Sequence, residues 1–159
     1  MATEDKKHVN LDHARQAHQI AVMKRIVADD KCPFCMENLM QYHTNPILRE
    51  SVHWILTENF APYDGVKKHY LLIAKKHCTG FWELSPEAQV NLFEIFDQVR
   101  KDDTALGGTI VMRWGDTEYN SATVTHLHAQ LIFGASREEG GEKILTALGY
   151  KVPKEVPSS

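Results

Sequence analysis

The most constraining stretch of this chain is Thr125-His126-Leu127-His128-Ala129-Gln130-Leu131-Ile132-Phe133. Side chains along a strand alternate between its two faces. His126, His128 and Gln130 therefore share one face, and Leu127, Ala129 and Leu131 turn toward a core. Two imidazoles and an amide stand in a row, neighbours roughly 7 Å apart at about 3.3 Å rise per residue. A strand fixes ring positions before a substrate arrives, which suits a nucleophile. Three polar residues on the solvent side of a strand would look the same, so the row gains meaning only from its surroundings.

Those surroundings predict an α+β fold. Residues 11–29 carry a helical pattern, with Ala14, Ala17, Ala21 and Lys24 on one stripe, Ile20, Met23 and Val27 beside it, and Asn10 as N-cap. A turn at Lys31-Cys32-Pro33-Phe34-Cys35 ends that helix. Residues 47–58 read as extended, 59–68 as a loop, and 69–74 as a short apolar strand. Ser85 caps a second helix with Pro86 in its first position and a core stripe of Ala88, Leu92, Phe96 and Val99. Residues 109–114 and 122–133 read as two strands joined by a polar turn. Residues 137–143 form a charged loop, and Ile144, Leu145 and Leu148 suggest a last short helix. A loose tail is expected over residues 150–159. Strands flanking a helix, without regular βαβ alternation, imply an antiparallel sheet.

The 159 residues suit a single domain over residues 1–159, and 43% hydrophobic with 25% charged residues is the balance of a soluble globular protein. A net charge of −3 without a long basic run argues against nucleic acid as the main partner. No apolar run approaches the roughly 20 residues of a membrane span, and the polar residues 1–7 lack a signal core. The expected location is the cytoplasm. There, a Cys-x-x-Cys pair is more often metal-binding or redox-active than a structural disulfide. Cys32 and Cys35 form such a pair, leaving Cys78 as a buried or free thiol. A thioredoxin-type redox pair would open a helix after a strand, whereas here a helix precedes the motif. That context favours zinc, with His77 at the strand exit as a third donor and a second imidazole to complete a tetrahedral site.

Taken together, these motifs resemble the histidine triad superfamily. Its His-φ-His-φ-His-φ-φ signature (φ apolar) is matched by His126-Leu127-His128-Ala129-Gln130-Leu131-Ile132. The run from Lys68 to Lys75-Lys76-His77 is similar to the family's strand ending Pro-Lys-x-His, and Cys32 to Cys35 is similar to the Cys-x-x-Cys of its zinc-binding members. The resemblance spans residues 32–133. The helix of residues 10–30 lies outside it. Gln130 at the third position is similar to the branch of galactose-1-phosphate uridylyltransferase and the diadenosine tetraphosphate phosphorylases. The resemblance implies a sheet of about five antiparallel strands with a packed helix, plus the extra N-terminal helix. It further implies a structural zinc on Cys32, Cys35, His77 and His126, a homodimer, and a small-molecule nucleotide as substrate.

The implied reaction is double displacement: His128 attacks an α-phosphate, forms a nucleotidyl-imidazole, and passes the nucleotide to an acceptor. In this family a backbone carbonyl holds the other ring nitrogen as a donor. Gln130 can donate to phosphate but cannot supply a proton, which favours leaving groups needing little acid help. Ser121 and Thr123 are candidates for holding phosphate, with plain strand propensity as the alternative for threonine. Arg113 falls near the family's phosphate-binding or nucleophile-supporting asparagine. Asn59 and Asp64 are candidates for the ribose, though Ala61 aligns with the usual acid. Phe34 and Trp54 either stack a base or fill the core, and no role is expected for His8, His13, His18, His43 or His53. Nucleotidyl transfer or phosphorolysis leads; hydrolysis of dinucleoside polyphosphates or phosphoramidates is the rival enzyme activity, and a non-catalytic zinc-stabilised nucleotide-binding protein the rival class.

Overall fold

A computed structural model describes residues 7–154 of the chain. Five strands form one antiparallel sheet: β1 (Ile47–Glu50), β2 (Trp54–Glu58), β3 (Lys68–Ala74), β4 (Thr109–Met112) and β5 (His128–Phe133), in the order β1-β2-β3-β5-β4. Helix α1 (Ala17–Asp29) and the single-turn α2 (Leu39–Tyr42) precede the sheet in sequence, and α3 (Pro86–Asp102) links β3 to β4. This is the α+β architecture that the sequence predicts. Among the described residues no helix is long and apolar enough to cross a membrane.

Both faces of the sheet are covered. On one, Trp54, Leu56, Tyr70, Leu72, Leu127, Ala129 and Leu131 pack against Ala88, Leu92, Ile95, Phe96 and Val99 of α3. Ser85 starts that helix by accepting the Ala88 N–H at 3.1 Å, with Pro86 in the first turn. Trp54 ties sheet to helix by donating its indole N–H to the Ala88 carbonyl at 2.8 Å. Each large apolar side chain buried here contributes about 2 kcal/mol by removal from water. On the opposite face, Ile55, Leu71 and Ile73 meet Phe34 and Leu39, and Met23 and Ile26 of α1 close the layer with Val9 and Tyr42.

Several sequence expectations are corrected. The helix expected over residues 11–29 is broken: Asn10 caps only a 3-10 turn over Leu11–His13, Ala14 returns to extended backbone, and α1 starts at Ala17. Its buried side chains are Gln19, Met23 and Ile26, whereas Ala17, Ala21 and Lys24 are exposed. The extended stretch 47–58 is a hairpin, because Ser51 accepts the Trp54 N–H through its hydroxyl and donates its own N–H to the Trp54 carbonyl. Val52 sits exposed in that turn. Of the strand expected over 122–133, only His128–Phe133 is regular strand, with the Leu127 carbonyl accepting the Ala74 N–H just before it. Thr125 and Leu127 donate instead to the carbonyls of His8 and Cys78. No helix forms around Ile144, since Leu145 and Leu148 have no face to bury and are exposed. Of the expected tail, residues 151–154 are exposed without regular structure, and 155–159, like the polar residues 1–6, lie outside the described residues.

Candidate functional site

The row predicted on β5 is not open to solvent. His126 lies just before the strand, and His126, His128 and Gln130 are all buried under the layer that Phe34, α1 and the segment near Val124 place over this face. A cavity of ≈ 370 Å³ remains beneath that layer, lined by His128, Gln130, Phe34, Asn59, Tyr63 and Arg113 among others. Its size is that of a small-molecule site.

His128 is held in one tautomer. Its Nδ1 donates to the His126 carbonyl at 2.8 Å, so Nε2 carries the lone pair. No hydrogen bond engages Nε2, and it is not among the buried unpartnered atoms, so it opens to the cavity. Burial, the larger cause, and then the Arg113 charge hold its pKa below the ordinary histidine value, against the pull of the carbonyl bond. The ring is therefore a neutral base at neutral pH. Phe34 stands edge-on to it, with ring centroids 5.1 Å apart, and steadies its plane.

Gln130 is oriented by His69, a residue the sequence did not single out. The Tyr63 backbone N–H donates to His69 Nδ1 at 3.1 Å, so the ring proton must sit on Nε2. That nitrogen donates to Gln130 Oε1 at 2.7 Å. The amide oxygen is thereby spent, and the Gln130 amino group is the end left to donate to a ligand. Burial pushes the His69 pKa down to about 4, keeping the ring neutral. Asn59 has its Oδ1 committed to the Ala61 N–H at 2.9 Å. Its Nδ2 lies 3.1 Å from the same His69 nitrogen, a contact between two donors that leaves the amide hydrogens for a ligand. A buried histidine inside an otherwise apolar strand was the available signal for His69. Its partners come together only in three dimensions.

The phosphate candidates converge in part. Arg113, the residue following β4, donates Nε to Ser121 Oγ at 2.9 Å, Nη1 to Tyr63 Oη at 3.1 Å and Nη2 to the Ala147 carbonyl at 2.6 Å. Ser121 also donates to the Ala147 carbonyl. Thr123 and Asn59 line the same cavity. Asp64 is not on its wall, and Ala61 is buried with its carbonyl turned to Arg15. Trp54 is core, whereas Phe34 serves both core and cavity. Two histidines assigned no role, His13 and His43, also line the wall. Thr57 donates its hydroxyl to the Pro46 carbonyl at 2.9 Å and accepts from His43 Nε2 at 2.7 Å, which leaves His43 Nδ1 a buried acceptor without partner.

Behind the row, Cys32, Cys35, His77 and His126 each bring one donor atom within 4.8 Å of the others. His126 Nδ1 lies 3.2 Å from His77 Nδ1, 3.3 Å from Cys32 Sγ and 3.8 Å from Cys35 Sγ, and Cys35 Sγ lies 3.2 Å from His77 Nδ1. A tetrahedral ion with bonds of about 2.3 Å to sulfur and about 2.05 Å to nitrogen needs N···N near 3.3 Å and S···N near 3.5 Å. The spacings match. His126 Nε2 donates to the Ala74 carbonyl at 2.6 Å, which leaves Nδ1 unprotonated for a metal. In the absence of a cation, burial and the adjacent Cys32 push the Cys35 thiol up to about 12. A bound divalent ion would take the place of thiol protons. Cys78 is a buried free thiol outside the cluster.

No protein-family model and no curated protein matches this chain. Solved structures do. A "Hit Like Protein" superposes with a TM-score of 0.51 at 19% identity, over 62% of this chain and 96% of the other. A HIT family hydrolase from Clostridium thermocellum gives 0.50 at 22% identity, over 67% and 91%. A histidine triad nucleotide-binding protein from Candida albicans gives 0.51 at 18% identity, over 80% and 87%. The chain thus has the fold of the histidine triad proteins.

Proposed function

We propose that this protein is a nucleotide-processing enzyme that transfers a nucleotidyl group through a covalent intermediate on His128, by nucleotidyl transfer or phosphorolysis of a (di)nucleoside polyphosphate. The observation that carries this is the buried, neutral His128 with Nδ1 bonded to the His126 carbonyl and Nε2 open to a cavity that also holds donor groups. A histidine kept unprotonated and aimed is an activated nucleophile. The lone pair of Nε2 attacks the α-phosphorus. The P–O bond to the leaving group breaks with its electron pair, and the new P–N bond gives nucleotidyl-histidine. An acceptor oxygen then attacks phosphorus, its proton passes to solvent, and the P–N electrons return to Nε2.

The groups around His128 divide the labour. The Gln130 amino group, Arg113, Ser121 and Thr123 would hold phosphate oxygens as charge develops, and Asn59 is placed to donate to the sugar or phosphate. The His69 bond to Gln130 Oε1 makes that amide a donor toward the substrate without a titrating proton. A leaving group stable as an anion, such as a phosphate or a nucleotide, fits such a site. Cys32, Cys35, His77 and His126 would hold zinc, which when bound acts as a structural cross-link. The chain's own contribution is that His126 anchors there and offers its carbonyl to His128.

Water as acceptor would make the protein a hydrolase, like the HIT family hydrolase from Clostridium thermocellum. Turnover of diadenosine tetraphosphate with and without inorganic phosphate separates the two. Dependence on phosphate supports phosphorolysis. A rate unchanged by phosphate, with AMP and ATP rather than ADP and ATP as products, replaces it with hydrolysis.

A further inference from the structure

The segment before Cys32 places a second guanidinium in the cavity. Arg15, in the linker between the 3-10 turn and α1, lines the wall together with Arg113. Both gather on one tyrosine. The Arg15 guanidinium lies over the Tyr63 ring, 4.6 Å from its centroid, and donates Nη2 to the Ala61 carbonyl at 2.8 Å. Arg113 donates Nη1 to the same tyrosine's hydroxyl at 3.1 Å. Neither arginine makes an ion pair with a carboxylate among the described residues. Asp12 is the one carboxylate among the described residues on the wall.

Two like charges held on one aromatic support without a carboxylate between them repel each other. Burial first, and then the Arg113 charge, draw the Arg15 pKa below its ordinary value. An anion placed between the two guanidiniums relieves that repulsion. The donors left over suit it, since planar guanidinium forks match phosphate oxygens. The support is also tied to the reacting row: the Tyr63 ring lies against His69, centroids 4.6 Å apart, and His69 bonds Gln130. The two guanidiniums are thus two side chains removed from the amide proposed to hold the α-phosphate.

We infer that Arg15 and Arg113, braced on Tyr63, form a second anion subsite that takes phosphates beyond the α-phosphate, so the substrate carries at least a diphosphate. This rests on the nucleotide assignment above and sharpens it: the N-terminal segment supplies selectivity for phosphate number. Arg15 is a specificity-determining residue and takes no part in bond making.

Calorimetric titration of the full-length, zinc-loaded protein tests it. The probes are AMP and UMP against the α,β-methylene analogues of ADP and UDP, with inorganic tripolyphosphate as a base-free probe. Wild type binds the diphosphate analogue of its preferred base about tenfold or more tightly than the monophosphate, a charge-assisted gain of the size expected of a guanidinium–phosphate pair. Arg15→Gln reduces that ratio to about threefold or less while monophosphate affinity stays within about twofold, and Arg15→Lys retains part of the ratio. An unchanged ratio in Arg15→Gln, or an equal loss for both ligands, overturns the subsite. If wild type binds no nucleotide, the nucleotide assignment fails separately. Tripolyphosphate then decides: binding by wild type that Arg15→Gln loses upholds the subsite, and no binding overturns it.

Discussion

His69 makes the fold acid-sensitive by an amount that follows from its surroundings. Its Nδ1 accepts the Tyr63 N–H and its Nε2 donates to Gln130, so adding a proton to Nδ1 breaks the first bond and charges a buried ring. Burial lowers the folded pKa to about 4 from 6.5. The unfolded chain therefore binds a proton in this window that the folded chain does not, and stability falls as pH drops. Linkage gives a loss of about 1 kcal/mol between about pH 7 and pH 5.5, and about 3 kcal/mol by pH 4. His69→Gln removes the titration while keeping an acceptor and a donor. Urea unfolding followed by tryptophan fluorescence in wild type and variant isolates the contribution of His69, because every other ionisable group is common to both proteins. The cost of the substitution is expected to be largest near neutral pH and to shrink by about 3 kcal/mol by about pH 4. Parallel profiles, or a cost that grows on acidification, would refute the buried neutral His69.

Other outcomes follow from the same geometry. The purified protein is expected to carry about one zinc per chain, measured by mass spectrometry of metals, and Cys32→Ser to lose it with a fall in thermal midpoint; metal-free wild type of undiminished stability would make the four donors ordinary side chains. We propose a homodimer through the edge strand β4, which has only β5 beside it and exposes Ile110. Sedimentation is expected to show a dimer in wild type and a monomer in Ile110→Lys, and a monomeric wild type would contradict it. The turnover test above is expected to show a rate that depends on inorganic phosphate.

Much of the site was legible because its chemistry lies in short, regularly spaced stretches. His128 and Gln130 share a strand face, and Cys32 pairs with Cys35 as candidate metal donors, from local spacing alone. Arg113 and Ser121 were both candidates for holding phosphate, and the structure joins them to each other at 2.9 Å. Contacts made at a distance were not legible. His69 gains its meaning from Tyr63 and Gln130, and Arg15 from Tyr63 and Arg113. The same cause explains the fold errors. The stretch before His128 looks like strand, but its N–H groups go to His8 and Cys78, partners far away in sequence. Ile144, Leu145 and Leu148 have helical spacing but no surface to bury it against. Nor does periodicity reveal that both faces of the sheet are covered, and that covering turns an apparently exposed row into a buried one.

The central claim is that His128 forms a bond to the nucleotide. Rapid acid-free quenching of the protein mixed with diadenosine tetraphosphate, followed by intact-mass and peptide mass spectrometry, tests it most directly. The expected result is a nucleotidyl adduct on the peptide containing His128, absent from His128→Gly. An enzyme that turns substrate over while never becoming labelled there, or that turns it over as His128→Gly, would contradict the mechanism.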